Sequence, residues 1–240
     1  MEHRTVRKAA DVKDISPSLI CSDLTNLESG VRALEEAGVS MLHVDILDGY
    51  FSPSMPIGVD TVKQLRKKTA MDFDVHIMAV ENDFFVHEMI DTGVQRICVH
   101  AETERHISKR LSEIRAAGVQ AGIALMPATS PRELEYVLEL CDFVLLMRIN
   151  PGYASIKGEK EYGFVTKKMC DLSDMIANKG LPTTITVDGR TYFENITELA
   201  AAGMDTAVGG TSSIFSKQGS VKQNVEKLAQ LMAEGRRLRG

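Results

Sequence analysis

Two histidines and two aspartates stand where short apolar, strand-like segments end, and they are the residues of this chain best suited to chemistry. His43 and Asp45 occur in LHVDILDG, His76 in FDVHIM and Asp188 in TITVDGR. Imidazole nitrogens and carboxylate oxygens together suit one divalent ion such as zinc, iron(II), manganese or cobalt. Two carboxylates in one ligand set also offer an acid and a base on either side of a bound substrate. Since the four residues are far apart in sequence, this chemistry requires a fold that brings the strand ends together.

The elements that must position these residues alternate between strand and helix. Eight β-prone segments are predicted at 15–18, 41–46, 73–77, 96–100, 121–125, 143–149, 184–187 and 206–209. Seven amphipathic stretches lie between them, at 24–38, 58–69, 84–93, 106–118, 130–141, 166–180 and 193–203. Apolar residues recur at helical spacing in these stretches. Five of the stretches end in glycine, where a left-handed cap residue belongs, at Gly38, Gly93, Gly118, Gly180 and Gly203.

This alternation predicts a parallel sheet closed into a single (β/α)8 TIM barrel. We expect one domain over residues 1–240, with a polar N-terminal extension at 1–13 and a C-terminal helix with a basic tail at 217–240. In such barrels the C-terminal strand ends converge on one mouth, where reactive residues sit. A lone histidine at a strand end is more often structural, and an aspartate before glycine often only forms a turn. Four ligand-type residues at strand ends of one barrel favour a site instead.

Composition excludes several function classes. The net charge of −5 offers no electrostatic reason to expect a nucleic-acid partner. No apolar stretch has the length of a membrane span, and the first 14 residues lack the apolar core of a signal peptide. The four cysteines show no CxxC pairing and are expected to be reduced, which favours a cytoplasmic location: Cys21, Cys98, Cys141 and Cys170.

A series of motifs extends along nearly the whole chain, from about residue 15 to residue 215. They are SPSLICSDL, HVDILDGYFSPSMPIG, DVHIM, VHAET, ALMPATSPRELEYVL, LLMRINPG, TVDG and AVGGTSSIF. By these motifs the chain resembles the ribulose-phosphate 3-epimerase family, which includes members acting on allulose 6-phosphate. Its members are metal-dependent barrels that invert C3 of a phosphorylated ketose. HVDxxDGxF followed by DVHxM is the most specific part of the resemblance.

The resemblance implies a role for each residue that matches a family motif. His43, Asp45, His76 and Asp188 would be the four metal ligands. Asp45 and Asp188 would also act as the acid/base pair, one on each face of an enediolate formed when the C3 proton leaves. The expected substrate-binding residues are Ser18, Met78, Met147, Gly152, Gly189, Arg190, Gly210, Thr211 and Ser212. The family likeness also implies a homo-oligomer, a dimer or a hexamer.

Some neighbouring residues are more ambiguous. Met78 and Met147 match family methionines that cover the apolar side of the enediolate, although methionine at a strand end often only fills core space. Leu47 stands where many relatives carry methionine. His100, at the end of the fourth predicted strand, could face the mouth too, but a structural role is the preferred interpretation.

The sequence departs from the family at the phosphate site. Barrels of this kind hold a phosphate with backbone N–H groups of the loops after strands seven and eight. Most relatives read DGG where this chain has Asp188-Gly189-Arg190, and NPGFGGQ where it has NPGYASIK. The family threonine on strand six is replaced by Arg148. Two glycines of the phosphate-facing loop are thus lost, while Arg148, Lys157 and Arg190 appear nearby in sequence.

Three interpretations of these departures stay open. Arg190 or Lys157 could replace the lost backbone contacts by charge-assisted hydrogen bonds to the same phosphate. Alternatively, the loop could be rebuilt for a different ketose phosphate, or for an acidic group other than phosphate. In the third, Arg148 is a structural ion-pair partner and Lys157 a solvated loop charge. The loop at 153–164 is expected to act as a lid over the substrate.

Other activities are weighed against epimerisation. Relatives in the same superfamily, such as orotidine phosphate decarboxylase and hexulose phosphate synthase, carry Asp-x-Lys-x-x-Asp on the second strand. This chain has HVDILD there, without a lysine, which disfavours chemistry that depends on it. An isomerase that moves the carbonyl would share the enediolate, but opposed carboxylates favour inversion at one carbon. A catalytically silent sugar-phosphate sensor would need neither a metal nor paired acids.

Overall fold

The computed structural model describes residues 12–152 and 158–239. Within these ranges eight strands form one sheet, β1 to β8: Ile15–Pro17, Met41–Leu47, Asp72–Met78, Arg96–His100, Gln120–Leu125, Phe143–Met147, Thr184–Asp188 and Thr206–Gly209. Seven α-helices occur in the same ranges, α1 to α7: Leu27–Glu36, Val59–Arg66, Asp83–Thr92, Ile107–Ala116, Phe164–Lys179, Phe193–Ala202 and Val221–Leu238. Strand and helix alternate in the predicted order except between β5 and β6, where no α-helix forms.

The strands are all parallel and close into a barrel. Their order is β1-β8-β7-β6-β5-β4-β3-β2. The two ends of this order meet at a parallel bridge between Ser18, just after β1, and His43 on β2. The register places Asp45 beside His76 across the β2–β3 pair and Met147 beside Asp188 across the β6–β7 pair. The predicted (β/α)8 barrel is therefore confirmed, and the predicted strand ends do meet at one mouth.

Alternate residues of each strand face opposite sides of the barrel wall. On β6, Val144 and Leu146 point outward into the core shared with the helices, while Phe143, Leu145 and Met147 point into the barrel interior. Because both faces are buried, the strand reads as a continuous apolar run in the sequence.

The lower barrel interior holds an aromatic ring and a buried cation. The Phe143 ring occupies the space beside Gly122, where any Cβ would lie 2.4 Å from the ring. The Arg96 guanidinium lies over the same ring at 3.9 Å, in a cation–π contact. Its Nε is 3.5 Å from Asp74 Oδ1. Arg96 thereby connects Phe143, at the bottom of the barrel, with Asp74, a carboxylate that contacts the candidate site.

The helix expected at 130–141 is not an α-helix. Two short 3-10 helices, Pro131–Leu134 and Leu138–Leu140, take its place, with Leu134 and Leu138 buried. Side chains from other elements hold backbone carbonyls of this segment: Lys179 Nζ donates to Glu135 O, and Thr183 Oγ1 donates to Cys141 O. The stretch is amphipathic in sequence, but tertiary contacts decide the backbone conformation, and the predicted helix is wrong.

The helix ends follow the capping signals. Gly93 and Gly180 end α3 and α5 with φ of 77° and 63°, in the left-handed region that glycine adopts most readily. Ser220 caps the N-terminal end of α7, the last helix of the chain. Near the other end of α7, Arg236 Nη1 donates to Asp14 Oδ2 at 2.7 Å, which attaches this helix to the residue before β1. Among the described helices, none combines the length and apolarity needed to cross a lipid bilayer.

Candidate active site

The four ligand-type residues come together inside the mouth of the barrel. His43 and Asp45 are two residues apart on β2 and so share its interior face, His76 lies beside Asp45 on β3, and Asp188 ends β7. One ligand atom from each residue can be chosen so that all four lie within 4.8 Å of one another. The first three side chains are buried, and that of Asp188 is 19% exposed. The predicted cluster therefore exists as a geometric unit.

The donor atoms of the cluster face a common point. Asp45 Oδ1 lies 3.3 Å from His43 Nε2 and 3.5 Å from His76 Nδ1. Asp188 Oδ2 lies 4.0 Å and 3.9 Å from the same two nitrogens. Both nitrogens are buried and have no hydrogen-bond partner. Buried polar atoms are rarely left unpaired, and two imidazole nitrogens with two carboxylate oxygens fit a divalent cation. The residues present thus fit the metal that the sequence predicted.

A carboxylate orients the first imidazole. His43 Nδ1 lies 3.0 Å from Asp74 Oδ2, which also accepts a hydrogen bond of 3.2 Å from Ser16 Oγ. Burial works against ionisation of Asp74, but Arg96 and His43 together lower its pKa to about 2. Asp74 is therefore an ionised acceptor that holds His43 Nδ1–H and turns Nε2 toward the cluster.

A second histidine, not a carboxylate, orients the other imidazole. His76 Nε2 lies 2.9 Å from His100 Nε2, and His100 Nδ1 lies 3.1 Å from Glu102 Oε2. Burial lowers the pKa of His100 to about 4, so its imidazole is neutral near pH 7. Burial opposes ionisation of Glu102, yet hydrogen bonds from His100 and Thr129 lower its pKa to about 2. His100 thus lies behind His76 and outside the four-residue cluster, in accordance with the structural role preferred from sequence.

The two carboxylates of the cluster differ in their affinity for a proton. Burial favours the neutral form of both. The neighbouring His43 and His76 outweigh burial at Asp45 and lower its pKa. Burial dominates at Asp188, and with the nearby charge of Asp45 it raises the pKa of Asp188. One carboxylate is thereby set to be ionised while the other retains a proton more readily, which is the division that acid and base require.

A cavity of about 450 Å³ opens directly above the cluster. Its walls include all nine predicted substrate-binding residues together with Asp45 and Asp188: Ser18, Met78, Met147, Gly152, Gly189, Arg190, Gly210, Thr211 and Ser212. Leu47, at the position where many relatives have methionine, also lines it. Ser18 Oγ donates a 2.8 Å hydrogen bond to Asp45 Oδ2. These residues therefore lie around a cavity that also reaches Asp45 and Asp188. Their contacts with a substrate stay a prediction.

The rim of the cavity carries the arginines that distinguish this sequence. Arg148 is buried and donates Nη1 to the carbonyl oxygen of Arg190, which also accepts a 3.0 Å hydrogen bond from Asn195 Nδ2. Arg190 Nη2 donates to Glu159 O at 3.2 Å. Arg148 therefore braces a backbone turn where an ion pair was one expectation. Lys157 and most of the NPGYASIK difference (residues 153–157) lie outside the described residues.

The turn that follows β7 has a demanding backbone. Gly189 has φ of 96°, and a Cβ there would lie 2.7 Å from Ile149 Cγ1. Arg190 has φ of 52°, the left-handed region that residues with a side chain adopt infrequently. The next residue, Thr191, is buried and donates Oγ1 to Val208 O. The turn is thus held in one conformation from both sides, with the Arg190 side chain at the cavity wall.

Two functional residues were missed at the sequence level. Asp74 carried a readable signal, because it precedes His76 by two residues on the same strand and so faces the same interior. Glu102 follows His100 by two residues in VHAET, but it lies beyond the end of β4, where alternation no longer applies. Its position is set by Met126 and Thr129 in the next β/α unit.

The fold and the cluster define a class, a parallel (β/α)8 barrel with a His2Asp2 site at its mouth. The model of the ribulose-phosphate 3 epimerase family matches residues 14–215. The chain is 36% identical over 207 residues to ribulose-phosphate 3-epimerase of Synechocystis sp., covering 84% of this chain and 87% of that protein. It is 35% identical over 205 residues to the chloroplastic ribulose-5-phosphate-3-epimerase of Arabidopsis thaliana, covering 85% and 72%. The chain therefore belongs to the ribulose-phosphate 3-epimerase family and is an epimerase, which confirms the resemblance.

Solved structures with low sequence identity share the fold. The 3-hexulose-6-phosphate synthase of Salmonella typhimurium superimposes with a TM-score of 0.70 at 14% identity, covering 91% of this chain and 98% of that one. Orotidine 5'-phosphate decarboxylase of Pyrococcus horikoshii gives 0.62 at 14% identity, with 94% and 99% covered. At such identities the likeness supports the barrel alone.

Proposed function

We propose that this chain inverts the configuration at C3 of a phosphorylated ketose, of the ribulose 5-phosphate/xylulose 5-phosphate type, in a metal-dependent reaction. The observation that carries the proposal is the pair Asp45 and Asp188. The two carboxylates come from distant strands, share one buried cluster and have pKa values displaced in opposite directions. Inversion at one carbon needs a base on one face of the planar intermediate and an acid on the other, and this pair supplies both.

The opposite displacements of the two pKa values support one assignment of roles to the aspartates. Asp45, with the lowered pKa, would take the C3 proton of the ketose, leaving an enediolate. Asp188, with the raised pKa, would deliver a proton to the opposite face of C3. The reverse reaction exchanges the two roles. Ser18, which donates a hydrogen bond to Asp45 Oδ2, holds that carboxylate in place and leaves Oδ1 toward the cluster.

His43, Asp45, His76 and Asp188 would hold the divalent ion. When bound, such an ion acts as a Lewis acid that stabilises negative charge developing on substrate oxygens. The imidazoles themselves contribute fixed position, because each has a hydrogen-bond partner on the nitrogen that faces away from the cluster.

The phosphate is expected at the far end of the cavity, near Gly210, Thr211 and Ser212 after β8 and Arg190 after β7. Glycine lets the backbone approach an anion closely, and the two hydroxyls and the guanidinium supply donors. Met78 and Met147 line the apolar side of the cavity. The altered rim favours a second candidate, a 3-epimerase acting on a different ketose phosphate such as allulose 6-phosphate.

The cytoplasmic location expected from the sequence belongs to the same proposal. All four cysteines are free thiols, and two of them, Cys98 and Cys141, are buried. Unpaired cysteines are usual in a reducing compartment, where a disulfide would not persist.

A panel of ketose phosphates tests the proposal. The protein, loaded in turn with Zn²⁺, Mn²⁺, Co²⁺ and Fe²⁺, is incubated in deuterated water with ribulose 5-phosphate, allulose 6-phosphate and shorter and longer analogues. NMR then follows deuterium at C3 and the ratio of epimers. Exchange and inversion at C3 of one preferred sugar are expected. Bound metal without exchange in any member would overturn the proposal and support the sugar-phosphate sensor.

A further inference from the structure

We propose that Glu102, acting through His100, is a positioning residue that sets which nitrogen of His76 carries a proton and thereby keeps Nδ1 free to bind the metal. The inference rests on the metal-binding part of the proposed function and deepens it. It concerns three side chains linked in series, Glu102, His100 and His76, none of which lines the cavity.

The two imidazoles of the cluster present opposite nitrogens. His43 turns Nε2 to the cluster and gives Nδ1 to the carboxylate of Asp74. His76 turns Nδ1 to the cluster and gives Nε2 to His100. A carboxylate can only accept a hydrogen bond, so Asp74 alone decides the tautomer of His43. A histidine can either donate or accept through one nitrogen, so His100 does not by itself decide the tautomer of His76.

Glu102 resolves that ambiguity. Its Oε2 lies 3.1 Å from His100 Nδ1, and as an ionised acceptor it requires the proton of His100 to be on Nδ1. His100 Nε2 is then an acceptor, so at 2.9 Å the proton between the two rings belongs to His76 Nε2. His76 Nδ1 is left with a lone pair that faces Asp45 and the cluster. In both hydrogen bonds of this series the donor is therefore the residue nearer the metal site: His76 donates to His100, and His100 donates to Glu102.

The surroundings of Glu102 hold it in this orientation. Its other oxygen, Oε1, accepts a 2.8 Å hydrogen bond from the backbone N–H of Met126 and another from the Thr129 hydroxyl. A backbone N–H can only donate, so an oxygen must occupy the Oε1 position. Lys168 donates to Met126 O at 2.7 Å and fastens the same turn from α5. The acceptor end of the chain is thus fixed by neighbouring elements.

This arrangement makes a nearly isosteric substitution informative. In Glu102→Gln the amide oxygen must meet the Met126 N–H, which leaves the amide NH2 facing His100 Nδ1. That NH2 can only donate, so His100 Nδ1 becomes the acceptor and Nε2–H the donor. His76 Nε2 then accepts, and its proton moves to Nδ1, into the metal site. The positions of the three side chains are kept, while donor and acceptor exchange in both hydrogen bonds between them.

The first measurement is metal affinity, determined for Zn²⁺ and Co²⁺ alone by competition with a chromophoric chelator. Loss of a partner that orients a metal-ligating histidine costs about 10- to 100-fold in affinity, and Glu102→Gln is expected to lose that much. Thr129→Val is the matched control, because it removes a donor to Glu102 Oε1 but keeps the carboxylate. Its affinity is expected within about threefold of wild type, because Glu102 stays an acceptor held by the Met126 N–H and facing His100.

The second measurement reads the tautomers directly. Nitrogen-15 spectra of the metal-free protein, labelled at histidine and recorded at mildly alkaline pH, distinguish protonated from unprotonated ring nitrogens. Wild type is expected to carry the His76 proton on Nε2, and Glu102→Gln on Nδ1. His43, held by Asp74, is expected to keep its proton on Nδ1 in both proteins and serves as the internal control. A merely structural role of Glu102 would leave the tautomer of His76 unchanged.

The outcomes separate this inference from the proposed function. An unchanged His76 tautomer or an unchanged metal affinity in folded Glu102→Gln overturns the inference, whatever the activity. If Glu102→Gln does not fold, His100→Phe, which keeps a ring but removes both the acceptor for His76 and the donor to Glu102, takes its place in the affinity measurement and must show the same loss. A reversed tautomer with weakened metal binding supports the inference even if wild type epimerises no sugar, in which case the proposed function alone fails.

Discussion

The floor and the rim of the cavity differ in the elements that hold their polar side chains. At the floor, the four ligand-type residues lie on strands β2, β3 and β7, and each imidazole has a partner on its outward nitrogen. At the rim, Arg148 and Arg190 each donate a hydrogen bond to a backbone carbonyl of a turn or loop. The floor contains the motifs that carry the family resemblance, HVDxxDGxF and DVHxM, whereas the rim contains DGR and NPGYASIK, where that resemblance leads us to expect other residues.

Floor and rim separate the residues expected to react from those expected to recognise the substrate. Strand residues inside a barrel are held by the sheet register, so a site that needs sub-ångström placement belongs there. Loop residues at the mouth can change without disturbing the barrel, so they adjust which substrate is accepted. We therefore expect changes at the floor to act on kcat and changes at the rim to act on KM.

The largest effect is expected at the floor, from Asp188→Asn. Asparagine retains an oxygen but cannot give or take the proton that Asp188 supplies, so inversion should slow by about 10²- to 10⁴-fold. Asp45 remains in place and can still remove and return the C3 proton from its own face. NMR in deuterated water should therefore show exchange at C3 of one epimer without formation of the other.

The control for this variant is Asp171→Asn, an exposed aspartate of α5 that pairs with Lys167. It is expected to retain wild-type turnover, and the metal content of both variants is measured by mass spectrometry. Near-normal inversion by metal-loaded Asp188→Asn and Asp45→Asn alike would contradict the acid/base assignment and remove the distinction between floor and rim.

At the rim, Arg190→Gly introduces the glycine that the family resemblance leads us to expect at this position. If the guanidinium binds the phosphate, its loss removes a charge-assisted hydrogen bond, and KM for the preferred ketose phosphate should rise about 10-fold. We expect kcat to stay within about twofold, because Arg190 Nη2 donates to Glu159 O at the rim and the acid/base pair Asp45 and Asp188 is left unchanged. Steady-state kinetics with the sugar identified by the panel measures both constants.

Two controls sharpen the result for Arg190. Arg105→Gly removes an exposed arginine from another loop and tests the effect of net charge alone. The melting temperature of Arg190→Gly should not fall, since glycine accommodates the φ of 52° more easily than arginine. A fall in kcat with an unchanged KM would show that Arg190 contributes to the reaction itself. It would contradict the expectation that changes at the rim act on KM.

The floor was largely predictable from sequence, for a physical reason. Parallel strands covered on both faces read as apolar runs, so the predicted segment 41–46 nearly coincides with Met41–Leu47. Polar residues that interrupt such runs stand out, which is how His43, Asp45 and His76 were found. The period of two along a strand then gives their common face without any knowledge of the partners.

What could not be predicted depends on contacts between distant segments. Glu102 is positioned by the backbone N–H of Met126 and the hydroxyl of Thr129, neither of which has a local sequence signal. The segment 130–141 has helical spacing, yet Lys179 and Thr183 bind its carbonyls and it forms 3-10 turns. Local patterns give elements and faces, whereas hydrogen bonds between elements decide orientation.

A smaller effect, on stability, is expected from Gly189→Ala at the rim. The added Cβ would lie 2.7 Å from Ile149 Cγ1 and 3.2 Å from its backbone nitrogen, at a φ of 96°. Overpacking and backbone strain together should lower the free energy of unfolding by about 1–3 kcal/mol. Urea denaturation followed by circular dichroism measures this change.

Gly158→Ala separates the two causes. Gly158 has nearly the same φ, 95°, but no atom of the described residues lies within 4 Å of its Cβ position. We expect it to show the backbone strain alone, and so a smaller loss than Gly189→Ala. Equal losses in the two variants would mean that the contact with Ile149 adjusts freely and that this part of the rim is not tightly packed.

The smallest effect is expected behind the floor, at Lys168, whose Nζ donates to Met126 O and Pro127 O. Burial lowers the pKa of Lys168 to about 8, from an ordinary value of 10.5. Between these values the unfolded chain binds more protons than the folded one, so this group makes the folded state more stable as pH rises. Relative to Lys168→Met, which cannot titrate, wild type should gain roughly 2 °C in Tm between about pH 8 and pH 10.

Lys167→Met is the matched control for that pH dependence. Lys167 is exposed, and its hydrogen bond with Asp171 raises its pKa, so its contribution is lost as pH rises. The Tm difference between wild type and Lys167→Met should therefore stay level or fall over the same range, while the difference for Lys168→Met rises. Parallel curves for the two variants would show that Lys168 stays solvated and charged in the folded protein. Lys168 would then hold the turn at Met126 as a solvated, charged lysine. Glu102 would be the last ionisable residue in the series that leads away from His76.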